Sequence, residues 1–145
     1  DGAMGTYYAS RAKNPSSPCE LANLYDRDTI LKIHREYIEA GCQAIKTNTF
    51  AANRTALNSD WDIVKRVVQE GYWLALEAAE GTDTAVFADI GPIQDDDSGD
   101  LLSEYLEIVN IFLDLGASNF IFETFSSDEY LAELSRHIKE RNPQA

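Results

Sequence analysis

One pattern occurs twice in this sequence, at positions 75 residues apart. Residues 41–50, "GCQAIKTNTF", and residues 116–125, "GASNFIFETF", both start with glycine, continue into an apolar run and end in Thr-Phe. Each copy follows a segment whose apolar residues have helical spacing, and a glycine at that place is typical of a helix end. The matching apolar positions are Ile30, Ile33, Tyr37 and Ile38 in the first copy and Tyr105, Ile108, Phe112 and Leu113 in the second. The repeat therefore predicts the same arrangement of helix and strand in two places.

Helical and strand-like segments alternate along the whole chain. The spacing predicts helices at 28–40, 59–78, 102–113 and 127–141, and strands at 43–50, 84–92 and 118–125. Ser59 with Asp62 is expected to open the second helix, and a capping box of Ser126 and Glu129 the last one. Strands separated by helices pair in parallel through right-handed crossovers, so the fold class is α/β. Because two βα units make one repeat, we favour a (βα)8 TIM-type barrel over a doubly wound sheet.

The composition excludes several classes of partner. Twelve Lys and Arg residues against 25 Asp and Glu give a formal net charge of −13, which repels nucleic acids and anionic membrane surfaces. No apolar run approaches the roughly 18 residues that a membrane-spanning helix needs. We therefore expect a cytoplasmic globular domain that binds neither nucleic acid nor membrane. Cys19 and Cys42 lack zinc-finger and redox spacing, so we interpret both as reduced, structural thiols.

Polar residues follow the predicted strands where each strand ends. Asp1, Gly2, Asn48, Asp89 and Glu123 all occupy such positions. In parallel α/β folds this edge of the sheet holds the ligand, so these residues are the site candidates. The alternative for each is a cap of the following helix or a bond to loop amides. Glu123 follows three apolar residues, where an unpaired carboxylate is costly, so it is expected to meet a cation or a ligand.

Lys46 shares a strand face with Asn48, because side chains alternate along a strand. A Schiff-base lysine is one interpretation. An ion pair with Glu123 or Asp89, or an outward-pointing ammonium, is the favoured one. His34 and His137 lie within amphipathic helices and are interpreted as surface or interface residues. No nucleotide-binding or serine-hydrolase motif is present in the sequence.

Four motifs occur in the order found in homocysteine S-methyltransferase domains. They are "DGAMGT", "REYIEAGCQAIKTNTFAANR", "ADIGPI" and "FIFETF". The resemblance covers nearly the whole chain, from the end of the first barrel strand at Asp1 to the helix after the fourth strand. "DGAMGTYY" with "CELANLYD" resembles most the methyltransferase part of bacterial bifunctional proteins that also carry a methylenetetrahydrofolate reductase domain. Residues 1–145 would then be a partial homocysteine-binding barrel domain, roughly the first half of a barrel of about 250 residues.

The resemblance implies roles for residues already chosen as candidates. In such domains the amino group of homocysteine lies between the acidic residues of the Asp-Gly and Glu-Thr motifs, which correspond to Asp1 and Glu123. Backbone amides at Gly2 and Ala3 would receive its carboxylate, and Asn48 would line the same pocket. The product of methyl transfer to the homocysteine thiol is methionine.

The resemblance also implies a zinc ion, which would activate the thiol. In this family three cysteines hold the metal, one after a later strand and a Cys-Cys pair near the end of the barrel. Cys19 and Cys42 match neither position, so we expect this chain to supply the amino-acid recognition half of the site and to be inactive alone. Exposed strand edges lead us to expect self-association.

The sequence leaves several alternatives open. The methyl donor could be methyltetrahydrofolate through a corrinoid, S-methylmethionine, S-adenosylmethionine or a betaine, and a reductase domain in the same polypeptide is an open expectation. An aldolase-like barrel enzyme that uses Lys46 and a non-enzymatic half-barrel assembly module are the two competing functions.

Overall fold

The computed structural model describes residues 2–15, 18–94 and 100–145. Helices and strands alternate through the described residues after an all-helical start. In chain order the elements are α1 (Met4–Arg11), a 3₁₀ turn (Cys19–Leu21), α2 (Ala22–Tyr25), α3 (Arg27–Glu39), β1 (Ala44–Lys46), α4 (Arg54–Leu57), α5 (Trp61–Ala79), β2 (Ala85–Ile90), α6 (Leu101–Asp114), β3 (Phe120–Phe122) and α7 (Leu131–Arg141).

The three described strands form a parallel sheet in the order β1-β2-β3. Ile45 pairs with Val86, and Asp89 pairs with Ile121. Helices α4 and α5 connect the first two strands and α6 connects the second and third, as crossovers between parallel strands need. The α/β class and the parallel pairing are therefore confirmed. A sheet whose described strands follow chain order without a reversal is the arrangement that consecutive barrel strands have.

The main core lies between the sheet and helices α5, α6 and α7. Its fully buried members include Val64, Val67, Val68, Ala88, Val109, Phe112 and Leu134. Phe112 anchors this layer through edge-to-face contacts with Tyr72 and Phe120, whose ring centroids lie 5.8 and 6.3 Å away. A second cluster joins Tyr8 of α1 to Ile30 and Ile33 of α3. This packing holds α1 against the rest of the domain.

The ends of α3 and α6 confirm the repeat. Gly41 and Gly116 follow these helices with φ values of +93° and +86°. Side chains with a Cβ rarely adopt this left-handed conformation, so glycine is the residue that ends both helices without strain.

Two predicted helix starts are wrong. Asp60, and not Ser59, caps α5, because its carboxylate accepts a hydrogen bond from the Ile63 amide at 3.1 Å. The Ser59 hydroxyl donates instead to the Leu57 carbonyl at the end of α4. The last helix begins at Leu131 without a side-chain cap, so the predicted box of Ser126 and Glu129 does not form.

His34, interpreted from the sequence as a surface or interface residue, is instead buried inside the domain. Its side chain is 1% exposed, on the face of α3 that packs into the domain. His137 is half-buried and hydrogen-bonds Asn110 of α6 at 2.8 Å. Within the described ranges, no helix has the length and apolar content that crossing a bilayer requires.

Candidate active site

A cavity of about 310 Å³ lies at the C-terminal edge of the sheet. Residues 2–6, at the start of α1, form one wall, and Cys19 with Glu20 forms another. The floor is made by residues at the strand ends, among them Lys46, Asp89 and Glu123. The strand order places these polar ends side by side, as predicted from the sequence.

The cavity brings together most of the predicted site residues. Gly2, Ala3, Asn48, Asp89 and Glu123 all line it. The remaining candidate, Asp1, lies outside the described residues. Sequence positions as distant as 2 and 123 therefore meet in one cavity.

Lys46 lies between two carboxylates. Its Nζ atom forms an ion pair with Oε2 of Glu123 and lies 3.8 Å from Oδ2 of Asp89. The Lys46 and Glu123 side chains are 23% and 31% exposed, so the pair is only partly in contact with solvent. The predicted ion pairs of Lys46 with Glu123 and Asp89 are confirmed.

Asp89 is the most buried acid of this group. It is 4% exposed, and its Oδ1 atom has no hydrogen-bond partner among the residues that the structure describes. Burial raises the pKa of Asp89 to about 7; Lys46 acts against this shift, whereas the negative charges of Glu123 and Glu20 add to it. Asp89 therefore titrates near neutral pH and not in the ordinary range of a carboxyl group.

Asn48 is held by buried hydrogen bonds from the helical start of the chain. Its Nδ2 donates to Asn23 Oδ1 at 2.9 Å and to the Cys19 carbonyl at 3.0 Å. Asn23 Nδ2 donates in turn to the carbonyls of Asn48 and Val67, at 2.7 and 3.0 Å. This network fixes the loop after β1 against α2 and α5.

Sequence reasoning missed Asn23, which is fully buried. Gly71 on α5 makes its position possible, because a Cβ there would lie 2.5 Å from Asn23 Nδ2 and 2.7 Å from Thr49 Cγ2. A glycine in the interior of a long helix was the available signal, since it usually marks a close approach.

Gly2 has a packing role as well. A Cβ at this position would overlap the ring of Tyr37, whose hydroxyl donates to the Ala3 carbonyl at 3.2 Å. Tyr37 therefore determines the path of the backbone that enters the cavity.

Glu123 is positioned by its backbone. Its amide donates to the Ile90 carbonyl at 3.0 Å, which extends the pairing of β2 with β3 by one residue. The next residue, Thr124, has a φ of 60°. A β-branched residue in this conformation is strained, and such strain concentrates at functional sites. The chain thus turns sharply directly after the carboxylate.

The cysteines do not form a metal centre. Both are free thiols, and burial raises the pKa of Cys19 to about 12, with the charge of nearby Glu20 adding to the shift. The Cys19 thiol donates to Asn48 Oδ1 at 3.3 Å. Within the described part of the chain, no group of three or more His, Cys, Asp or Glu side chains is arranged to hold a metal ion. These residues therefore do not fit a zinc ion.

Three comparisons with known proteins relate the chain to methyltransferases. The family model described as homocysteine S-methyltransferase matches residues 1–143. Methionine synthase from Mycobacterium tuberculosis is 35% identical over 89 residues, which cover 55% of this chain and 7% of that protein.

Solved structures of the homocysteine methyltransferase MmuM from Escherichia coli share the fold. The metallated form superposes with a TM-score of 0.71 at 19% identity and the oxidized form with 0.75 at 21%. Both matches cover 99% of this chain, and 59% and 58% of the respective MmuM chains. The chain thus spans less than two thirds of the length of these relatives. The family match extends over almost all 145 residues, and the chain belongs to the homocysteine S-methyltransferase family.

Proposed function

We propose that this chain binds L-homocysteine for transfer of a methyl group to its sulfur, which gives methionine. One observation carries the proposal: an acidic residue, Glu123, and the backbone at Gly2 and Ala3 line the same small cavity. An amino acid presents an ammonium and a carboxylate on one carbon, so a site for it needs an acid and an anion-binding group close together. The cavity volume is at the lower end of the roughly 300–1,000 Å³ typical of ligand sites.

The ammonium of homocysteine would bind the Glu123 carboxylate. The cavity also has Asp89 and Glu20 among its acids, against one described lysine, Lys46. This excess of negative charge favours a cationic group of the ligand. Asp1 is proposed as the second acid at the ammonium, in line with the Asp-Gly motif.

The carboxylate of homocysteine would bind at the start of α1. Ala3 at the N-cap has no side-chain cap bond, and no acidic residue lies in the first turn. Backbone amides at a helix N-terminus attract anions, and residues 2–6 line the cavity. Asn48 would shape the same pocket, while its amide group stays bonded to Asn23 and Cys19.

We propose that these residues recognise the amino acid and do not activate its thiol. A free alkyl thiol has a pKa of about 8.5 and is mostly protonated at neutral pH, whereas the thiolate is the nucleophile. The family resemblance implies zinc for this step in the complete enzyme, and the described residues do not fit that ion. We therefore assign methyl transfer to the intact protein and predict that this chain alone does not perform it.

The Schiff-base alternative gains no support from the cavity. Lys46 forms ion pairs with Glu123 and Asp89, which favour its charged ammonium form. Addition to a carbonyl needs the neutral amine instead. Borohydride trapping of a carbonyl substrate on Lys46 would be needed to revive it.

Binding of L-homocysteine to the intact protein, measured by calorimetry, tests the proposal. Glu123→Gln should weaken binding at least tenfold, because it replaces a charge-assisted contact with a neutral one. Glu129→Gln removes an exposed carboxylate nearby in sequence and should leave binding unchanged. Equal affinity of the Glu123→Gln variant and the unmodified protein would contradict the proposed site.

A further inference from the structure

Two carboxylates in the cavity share one ammonium. Lys46 contacts Glu123 directly, while Asp89 Oδ2 lies 3.8 Å from its Nζ atom. The other oxygen of Asp89 has no hydrogen-bond partner within the described part of the chain, although the residue is 4% exposed. A buried carboxylate without full pairing is costly, so the cavity without ligand holds an acid in an unfavourable environment.

The ligand proposed above brings a second cation. Glu123 is the acid assigned to the ammonium of homocysteine, and Lys46 is paired with that same acid in the described structure. The lysine ammonium and the substrate ammonium are thus candidates for one position. If both cations are present, pairing one with each carboxylate satisfies both acids.

We propose that Lys46 takes the place of the substrate ammonium at Glu123 in the free protein and transfers to Asp89 when homocysteine binds. This inference rests on the proposed function. Lys46 is then a positioning residue and Asp89 its second partner, and the pair makes binding selective for ligands that carry an ammonium group.

The geometry allows the transfer with a small movement. A charge-assisted hydrogen bond between nitrogen and oxygen spans about 2.7–2.9 Å, so Nζ needs to move about 1 Å towards Asp89 Oδ2. The lysine side chain is a flexible four-carbon stem, so such a shift requires no change of the backbone. Asp89 itself is fixed, because it pairs in register with Ile121 of β3, its backbone amide donates to the Thr47 hydroxyl, and its carbonyl accepts from the Thr49 hydroxyl.

The transfer predicts that binding releases a proton. The charged groups near Asp89 in the described structure are Lys46 from β1, Glu123 after β3 and Glu20 from the 3₁₀ turn. When Lys46 approaches Asp89 and the charge of Glu123 is neutralised by the ligand, both changes lower the pKa of Asp89 from about 7. Affinity should therefore be full above pH 7 and should fall as the pH decreases through 7, since protonated Asp89 cannot receive the lysine.

A double-mutant cycle on Lys46 and Asp89 in the intact protein tests the transfer. Asp89→Asn should weaken homocysteine binding about tenfold, because the substitution removes the carboxylate that receives Lys46. In the Lys46→Met background, the same Asp89→Asn change should alter affinity less than threefold. 4-Mercaptobutanoate, which is homocysteine without its amino group, should bind equally to the unmodified protein and to Asp89→Asn.

The number of protons released on binding gives a second test. If Asp89 had only a structural role, its replacement would not change that number. Calorimetry at pH 7 in two buffers of different ionisation enthalpy should show more proton release by the unmodified protein than by Asp89→Asn. A proton lost by the thiol is common to both proteins and cancels in the difference. Circular dichroism and melting temperatures of all variants establish that they fold.

Three outcomes would overturn the inference. They are an Asp89→Asn effect of the same size with and without Lys46, no effect of Asp89→Asn on binding, and equal proton release by the two proteins. In each case homocysteine still binds, so the proposed function stands. Absence of homocysteine binding by the unmodified protein overturns both.

Discussion

Gly71 on α5 lies against Asn23, whose amide would be 2.5 Å from a Cβ at the glycine position. The contact joins the long helix to the loop that carries Asn48, since Asn23 hydrogen-bonds both Asn48 and Val67. A change at a position remote from the cavity can therefore alter the cavity floor.

Gly71→Ala should destabilise the protein by about 1–2 kcal/mol. Overpacking costs about 1–3 kcal/mol, and the better helix propensity of alanine offsets part of it. Urea denaturation, read as a change in midpoint at constant slope, measures the effect. Gly5→Ala is the matched control, because its Cβ would have an ordinary 3.7 Å contact with Cys19 Sγ. If Gly71→Ala were as stable as the control, the close approach of Asn23 would be wrong.

Gly41→Ala and Gly116→Ala should each cost about 1–2 kcal/mol of unfolding free energy. A Cβ at either position would meet no described atom within 4 Å, so the cost is assigned to the left-handed backbone conformation. Asparagine tolerates this conformation better, and Gly116→Asn should therefore lose less than Gly116→Ala. Thermal unfolding of the three variants checks this order, and equal losses for Asn and Ala would argue against a conformational cause.

The free energy of unfolding should decrease below pH 6.5 because of His34. Burial lowers the pKa of His34 to about 4 from an ordinary value of 6.5. As the pH falls through this range the unfolded chain binds a proton that the folded chain does not, so unfolding is favoured. His34 thus contributes stability above pH 6.5 that is lost towards pH 4, by up to about 3 kcal/mol.

Comparison with His34→Gln isolates this effect. Asp89 acts in the opposite sense, because its raised pKa makes the folded chain bind more protons between about pH 4 and pH 7. The difference in unfolding free energy between the unmodified protein and His34→Gln should therefore shrink from pH 7 to pH 4. A constant difference over that range would mean that His34 is accessible to protons in the folded state.

Glu104→Ala should destabilise the protein by about 1–2 kcal/mol. The Glu104 carboxylate is buried on α6 and accepts from the Arg54 backbone amide at 2.9 Å and from its guanidinium at 2.9 and 3.1 Å. The Arg54 side chain is 50% exposed, so it stays hydrated after the loss and the cost is below that of a fully buried pair. Glu107→Ala, at an exposed position of the same helix, should change the free energy of unfolding by less than about 0.5 kcal/mol.

Local patterns were sufficient to predict much of this fold. The apolar spacing of α3, α5 and α6 predicted the helices, and the glycines after α3 and α6 predicted where those two end. The rule that ligands bind at the C-terminal ends of parallel strands brought Asn48, Asp89 and Glu123 to one edge, where the structure places them.

Tertiary contacts account for what local patterns did not show. Helix α1 forms where Tyr8 packs against α3, and Asn23 is buried because Gly71 leaves room for it. His34 shares the apolar, buried face of α3 with Ile30 and Ile33, and its residue type alone did not indicate this burial. The shared ammonium of Lys46 depends on distances between three strands, which periodicity alone does not determine.

A crystal structure of the intact protein with L-homocysteine tests the proposed recognition site most directly. The predicted result is a ligand ammonium within hydrogen-bond distance of Glu123, a ligand carboxylate at the amides of Gly2 and Ala3, and Lys46 Nζ in contact with Asp89. A ligand ammonium located away from Glu123 would contradict the proposed recognition site. A ligand at Glu123 with Lys46 still bound to that acid would contradict the transfer alone.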